Sequence, residues 1–230
     1  EQSMRTQAEL INSGGRGRFL VADLRDENDL ARVLRTLAER PPIDVLIHNA
    51  GISAAGLFAR LPLDGQLAVL DVNFLAPLLL TQGVLAGGLL TDEATLVFIS
   101  SLSHFAGYPG AAVYAASKAG VASYARSLAV GLAPTGQRTL TVYPGPTRTA
   151  HARRYSPDNS REAKRMAPER LAEQILFAVS RGKRQLIPGP ANEGFALAGR
   201  LFPSLTDAIM RKTMLEKIIA QEAGESSESA

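Results

Sequence analysis

The sequence predicts an α/β fold: a doubly wound parallel sheet flanked by helices, in a single domain. Three observations predict it. Short apolar runs bounded by turn residues alternate with segments of helical periodicity, the pattern of strands joined by crossover helices. Each run ends in polar or turn residues, namely Asp23, Asn49, Ser100-Ser101 and Pro144-Gly145, so these residues fall on one rim of the sheet, where ligands bind in such folds. The chain has 230 residues, 46% of them hydrophobic, enough to bury one full core.

Taken in order, residues 1–12 read as a polar helix stopped by Asn12-Ser13-Gly14-Gly15. Arg18 to Asp23 is a buried-type strand. Asp26 to Arg40 carries Leu30, Val33, Leu34 and Leu37 at helical spacing and stops at Pro41-Pro42. Ile43 to His48 is a second strand, followed by Asn49-Ala50-Gly51, and residues 64–86 form a long apolar helix. Thr95 to Ser100 is a third strand, Ala111 to Gly131 a helix rich in small residues, and Thr139 to Tyr143 a fourth strand broken by Pro144-Gly145-Pro146. Residues 150–167 are polar and basic and read as an exposed or mobile segment. Pro168 to Ser180 is a helix and Arg184 to Ile187 a last strand. Phe195 to Ile219 is an amphipathic helix interrupted by Pro203. Residues 1–190 are expected to form the sheet domain, 191–220 a helical extension and 221–230 a disordered acidic tail.

Composition excludes several functions. The net charge of +3 is small, which argues against nucleic-acid binding. Cysteine is absent, so disulfides, thiolate catalysis and cysteine-held zinc are excluded. No contiguous apolar stretch reaches the roughly 18 residues of a membrane span, and no basic region precedes an apolar run as in a signal peptide. A cytoplasmic protein is the expectation. His48, His104 and His151 have no ligand spacing and read as structural or surface residues; no metal site is expected. Gly14-Gly15-Arg16-Gly17 precedes a strand instead of following one, so it reads as a helix stop and not as a phosphate turn. The cluster Arg148, Arg153, Arg154, Arg161, Lys164 and Arg165 reads as a solvated face, with a lid for an acidic substrate or a cofactor phosphate as the minority reading.

The chemistry sits in Ser101 and Tyr114-Ala115-Ala116-Ser117-Lys118. Tyr114 and Lys118 are one helical turn apart on the same face. A phenol of pKa about 10 is a poor acid or base at neutral pH, and a neighbouring ammonium lowers it. Ser101, at a strand end, is placed to donate to a substrate oxygen. Pro77 lies four residues after Asn73, so within a helix it removes the N–H that the Asn73 carbonyl would use and frees that oxygen for a relay water.

Together with Asn49-Ala50-Gly51, Asn73, Ile99-Ser100-Ser101 and Pro144-Gly145 followed by Thr149, this set resembles the short-chain dehydrogenase/reductase family, with its Rossmann-like fold, over residues 1–190. The resemblance implies an NAD- or NADP-dependent oxidoreductase acting on an alcohol or ketone, forming a homodimer or homotetramer. It implies Tyr114 as general acid/base, and Lys118 as the group that lowers its pKa and holds the nicotinamide ribose. It implies Ser101 as the substrate-orienting hydroxyl and Asn73 as the holder of a relay water. Asn49, Ala50 and Gly51 would line the adenosine half, Asp23 would contact adenine, and Pro144, Gly145 and Thr149 would form the nicotinamide-side loop. For Asp23 a plain helix-start role ahead of Asp26 is the equal alternative. The family's opening strand and Gly-rich turn do not occur in this sequence, which reads as a fragment of a longer protein; a shortened homologue is the other explanation. A catalytically silent binding or assembly module is the alternative function. The ending after Arg184 resembles reductases of bulkier substrates, and the helices from Phe195 to Met210 are candidates for membrane or partner contact.

Overall fold

In the computed structural model, which describes residues 14, 16–156 and 159–220, four parallel strands form one sheet in the order β1-β2-β3-β4. The predicted helix over residues 1–12 and the tail at 221–230 lie outside the described residues.

Helix α1 (Glu27–Ala38) starts at Asp26, whose carboxylate accepts from the N–H groups of Asn28 and Asp29 at 2.7 and 3.1 Å. Glu27 and Asp29 add negative charge to its first turn, which the helix dipole favours. Strand β1 (Ile43–His48) pairs with β2 (Leu90–Ile99), setting Val45 beside Thr95 and His48 beside Phe98. The connection is one long helical run: α2 (Leu63–Leu70), a π turn (Asp71–Leu75) and α3 (Ala76–Ala86). Helix α4 (Ala112–Gly131) leads to β3 (Arg138–Val142), which pairs with β2. The short α5 (Ala150–Tyr155) precedes α6 (Pro168–Ser180), and β4 (Gln185–Leu186) closes the sheet against β3. Helices α7 (Pro190–Leu201) and α8 (Pro203–Met210), separated at Phe202 ahead of Pro203, make the extension.

Alternation along β2 divides the core between the two faces. Leu96 and Phe98 point to Val84, Val121 and Ala125 of α3 and α4. Val97 points the other way, with Leu140 and Val142, to Ile175 and Ala178 of α6. Leu96, Val97, Phe98, Leu140 and Val142 are fully buried, each worth roughly 1.5–3 kcal/mol of apolar transfer. A third cluster joins Leu102, Phe105, Ala122 and Tyr143 to Ala196 of α7.

Two expectations are corrected and two are refined. Arg18 to Asp23 is extended but joins no ladder among the described residues; the Val21 side chain is 78% exposed and its carbonyl accepts from Arg32 at 2.6 Å. An apolar run becomes a strand only by pairing with a neighbour. The described residues of 150–167 are exposed or half-buried, in keeping with an exposed segment, but ordered locally: Thr149 caps α5, and Thr147 bridges to Met166. Leu63–Ala86 is a helix containing an 18-residue window of mean hydropathy 1.6, long and apolar enough to cross a membrane. The expectation of no such segment rested on contiguous apolar residues, which Gln66, Asp71 and Asn73 interrupt without ending the helix. A third of that window is buried inside this fold, Val69, Ala76 and Val84 among its residues. His151, read as structural or surface, lines the cleft described next.

Candidate active site

The carboxyl ends of β1, β2 and β3 open onto a cleft of about 2040 Å³, lined by Asn49, Ala50 and Gly51 after β1, Ser100 and Ser101 after β2, and Pro144 and Gly145 after β3. Tyr114 and Lys118 on α4 face the same cleft.

Lys118 is 5% exposed. Its Nζ donates to the Ile99 carbonyl at 2.9 Å and lies 5.9 Å from the centre of the Tyr114 ring. Burial pushes its pKa down to about 8. Burial raises the Tyr114 pKa above the ordinary phenol value; the Ser101 side chain works in the opposite direction without overcoming it, and the Tyr108 phenol adds to the rise. The sequence expectation was a phenol made more acidic by Lys118. With the protein's own groups alone the shift runs the other way, because desolvation of the phenolate exceeds what the neighbours return.

The Asn73 side chain is fully committed. Its Oδ1 accepts from the Ile52 N–H at 2.8 Å, and its Nδ2 donates to the Ile52 carbonyl at 2.9 Å and to Ser117 Oγ at 3.0 Å. Ser117 in turn donates to the Tyr114 carbonyl at 2.7 Å. Asn73 therefore ties the loop after β1 to the helix carrying Tyr114. At Asn73 the helix widens: the Ala76 N–H bonds to the Asp71 carbonyl five residues back. This π turn sits where Pro77 withholds an N–H from the Asn73 carbonyl, and such turns are common at functional sites. Gly51 packs closely here: a Cβ on it would lie 3.2 Å from Lys118 Nζ and 3.3 Å from Asn73 Oδ1.

Ser101 begins a 3-10 turn, its Oγ accepting from the Ser103 N–H at 3.2 Å. Ser100 is buried and donates to the Lys118 carbonyl at 2.8 Å, a structural role. The Pro144 carbonyl accepts from the Leu102 N–H and the Gly145 carbonyl from Thr147 Oγ1. Thr149 Oγ1 accepts from the Ala152 N–H at 3.1 Å and caps α5. Asp23 is not brought to the cleft. Its carboxylate pairs with Arg25 at 2.9 Å, which lowers its pKa, and Asp26 takes the capping role.

Several cleft residues carried no sequence signal. Tyr108, Tyr114, His151 and Tyr155 form a run of ring contacts with centres 6.3, 6.1 and 4.9 Å apart. Burial first, then the Lys118 ammonium, lower the His151 pKa. Ser103 Oγ is buried without a hydrogen-bond partner among the described residues, in the cleft wall. The other two histidines are structural: His48 meets Thr81 Oγ1 at 2.9 Å and stacks on Phe98, and His104 packs on Phe105 and Tyr143. Among the described residues no cluster of His, Asp and Glu could hold a metal.

The residues present fit a nicotinamide nucleoside. An ammonium has three N–H donors, and Lys118 spends one on Ile99, leaving two in the cleft for a diol. The orphaned Ser103 hydroxyl offers a further polar partner. The glycine at 51 leaves the loop after β1 free of a side chain beside Lys118.

A family model described as short chain dehydrogenase matches residues 1–160. A dehydrogenase/reductase SDR family protein 7-like of Drosophila melanogaster is 32% identical over 203 residues, 84% of this chain and 62% of the fly protein. A 3-oxoacyl-[acyl-carrier-protein] reductase of a Synechocystis strain is 32% identical over 139 residues, 60% of this chain and 56% of its own length. The chain thus spans less than two thirds of these relatives. Among solved structures, a short-chain dehydrogenase from Sphingobium yanoikuyae in complex with NADPH superposes with a TM-score of 0.72 at 30% identity, over 86% of this chain and 77% of that one. A short chain dehydrogenase from Escherichia coli CFT073 complexed with NADPH gives 0.73 at 27% identity, over 83% of each chain.

Proposed function

The chain belongs to the short chain dehydrogenase family of NAD(P)-dependent oxidoreductases, and from that premise we propose that it moves hydride between a nicotinamide and an alcohol or carbonyl carbon, with Tyr114 handling the proton. The observation that carries this reading is the convergence of Ser101, Tyr114 and Lys118 in one cleft, with Lys118 Nζ 5.9 Å from the centre of the Tyr114 ring. The cofactor is NAD or NADP; the NADP-type molecules named with the structural relatives support a dinucleotide of this kind.

In the reducing direction the substrate oxygen accepts hydrogen bonds from Ser101 and Tyr114. Hydride arrives at carbon, and the phenol O–H bond breaks as its proton passes to that oxygen. A nicotinamide bound here supplies the hydride and, once oxidised, a positive charge. Lys118 would hold ribose hydroxyls of a bound dinucleotide through the two N–H groups not spent on Ile99, and its ammonium would favour the phenolate that Tyr114 becomes. Asn73 is a positioning residue: its amide fixes Ile52 and, through Ser117, the turn of α4 bearing Tyr114. The freed Asn73 carbonyl is the place for a water that returns a proton.

The test is spectrophotometric consumption of NADH or NADPH by the full-length protein against a panel of ketones. Turnover is expected, and Tyr114→Phe is expected to reduce it by about a thousandfold or more. Turnover that survives this change removes Tyr114 from the role.

A further inference from the structure

The charges around the cleft are sorted by sign. Lys118, Arg148, Arg161, Lys164, Arg165 and Arg170 line it, and no Asp or Glu does among the described residues. Composition does not account for this, since the chain holds 25 basic and 22 acidic residues. The same stretch holds two acids among its described residues, Glu162 and Glu169. Glu162 is taken by Arg153 at 2.7 Å, and neither it nor Glu169 reaches the lining. Arg148, Arg161, Lys164 and Arg170 are exposed and form no ion pair among the described residues. The first turn of α6, with Pro168 and Arg170, opens onto the same space, so the positive end of that helix dipole adds to the field. A cleft walled by one sign of charge concentrates ligands of the other sign.

We propose that these cations select a substrate carrying an anionic group, a carboxylate or phosphate, at one end, with the reacting carbonyl or alcohol carbon at the other. This rests on the redox reading above and adds the substrate class. Ser101 and Tyr114 take the reacting end. The segment between α5 and α6, with Arg161 and Lys164, takes the anion. The rings of His151 and Tyr155 line the cleft beside Tyr114 and supply an apolar wall for the carbons between.

The test uses a series of oxo-carboxylates of increasing chain length and their methyl esters, which differ only in charge, with the full-length protein. For the best acid, kcat/KM is expected to exceed that of its ester about tenfold. The preference should shrink as salt is raised, because these charges are exposed. In Arg161→Gln/Lys164→Gln the acid-to-ester ratio is expected to fall about tenfold, with the cofactor KM unmoved. Equal use of acids and esters at every length overturns the proposal. So does a double variant that raises the cofactor KM and slows acid and ester alike, which assigns the cations to cofactor phosphates instead. Saturation-transfer NMR of the same acids and esters reads binding without turnover. Selective binding of an acid, lost in the double variant, sustains the anion site even if no ketone is reduced, a result that would refute only the redox reading. Absence of acid-selective binding in a protein that reduces neutral ketones refutes only the anion site.

Discussion

Asn73 grips Ile52 by both of its backbone groups, accepting from the N–H at 2.8 Å and donating to the carbonyl at 2.9 Å. The pair is 21 residues apart in sequence, and Asn73 is 1% exposed. One side chain therefore ties the start of the loop after β1 to the long helical run.

Removing that side chain leaves buried polar groups without partners. Asn73→Ala is expected to lower stability by about 2–4 kcal/mol, measured by urea unfolding. Asn73→Asp keeps the acceptor for the Ile52 N–H and loses both donors, so it should be damaging too. Wild-type stability in Asn73→Ala would show that Ile52 is held by other contacts.

His48 makes stability depend on pH. Burial lowers its folded pKa from 6.5 to about 4. Between those values the unfolded chain binds the proton and the folded chain does not, so stability is full above about pH 6.5 and falls as pH drops toward 4. From pH 7 to pH 5 this group accounts for roughly 2 kcal/mol. His104 and His151 are also lowered and add to the slope. The check is the change in urea-unfolding free energy from pH 7 to pH 5 in wild type and in His48→Asn; identical changes would contradict it.

Lys118 is buried at a cost in stability. Its folded pKa of about 8 lies below 10.5, so the charged form is disfavoured by burial, and stability should rise as pH climbs from about 8 to 10.5. Lys118→Met removes the buried charge and forfeits one bond to the Ile99 carbonyl. The net expectation at pH 7 is a gain of roughly 1–3 kcal/mol, together with loss of turnover. Destabilisation by the same change would show that the bond to Ile99 outweighs desolvation.

Gly199 lets α7 lie against the main chain of the 3-10 turn after Ser101. A Cβ there would overlap the Phe105 carbonyl. Gly199→Ala should therefore cost roughly 1–3 kcal/mol, seen as a lower urea midpoint. It should also perturb substrate KM, since Phe195, Met210 and Met214 of the extension line the cleft. An unchanged midpoint would mean that α7 shifts freely.

Much of the fold and part of the site were legible because their signals are local. Tyr114 and Lys118 meet through helical spacing, and Ser101 is placed by the end of an apolar run. Helix α6 was read to the residue, with Pro168 opening it. The remainder depends on contacts that no short segment encodes. Arg18 to Asp23 has the composition of a strand, yet pairing is a property of the neighbour. His151 and Tyr155 come from a polar segment without clear periodicity, which the Thr149 cap and the bridge from Thr147 to Met166 help to fix at the cleft. The direction of the Tyr114 shift reflects a balance between burial and hydrogen bonding that spacing cannot weigh.

The most direct measurement is an ultraviolet pH titration of tyrosine ionisation in the full-length protein, with and without oxidised nicotinamide dinucleotide. The chain has five tyrosines and no tryptophan, so the signal is readable. Without the dinucleotide Tyr114 should stay protonated past the ordinary phenol range, as its burial demands. With it, one tyrosine should ionise at distinctly lower pH, and that step should vanish in Tyr114→Phe. Superimposable titrations with and without the dinucleotide would contradict the assignment of the proton to Tyr114.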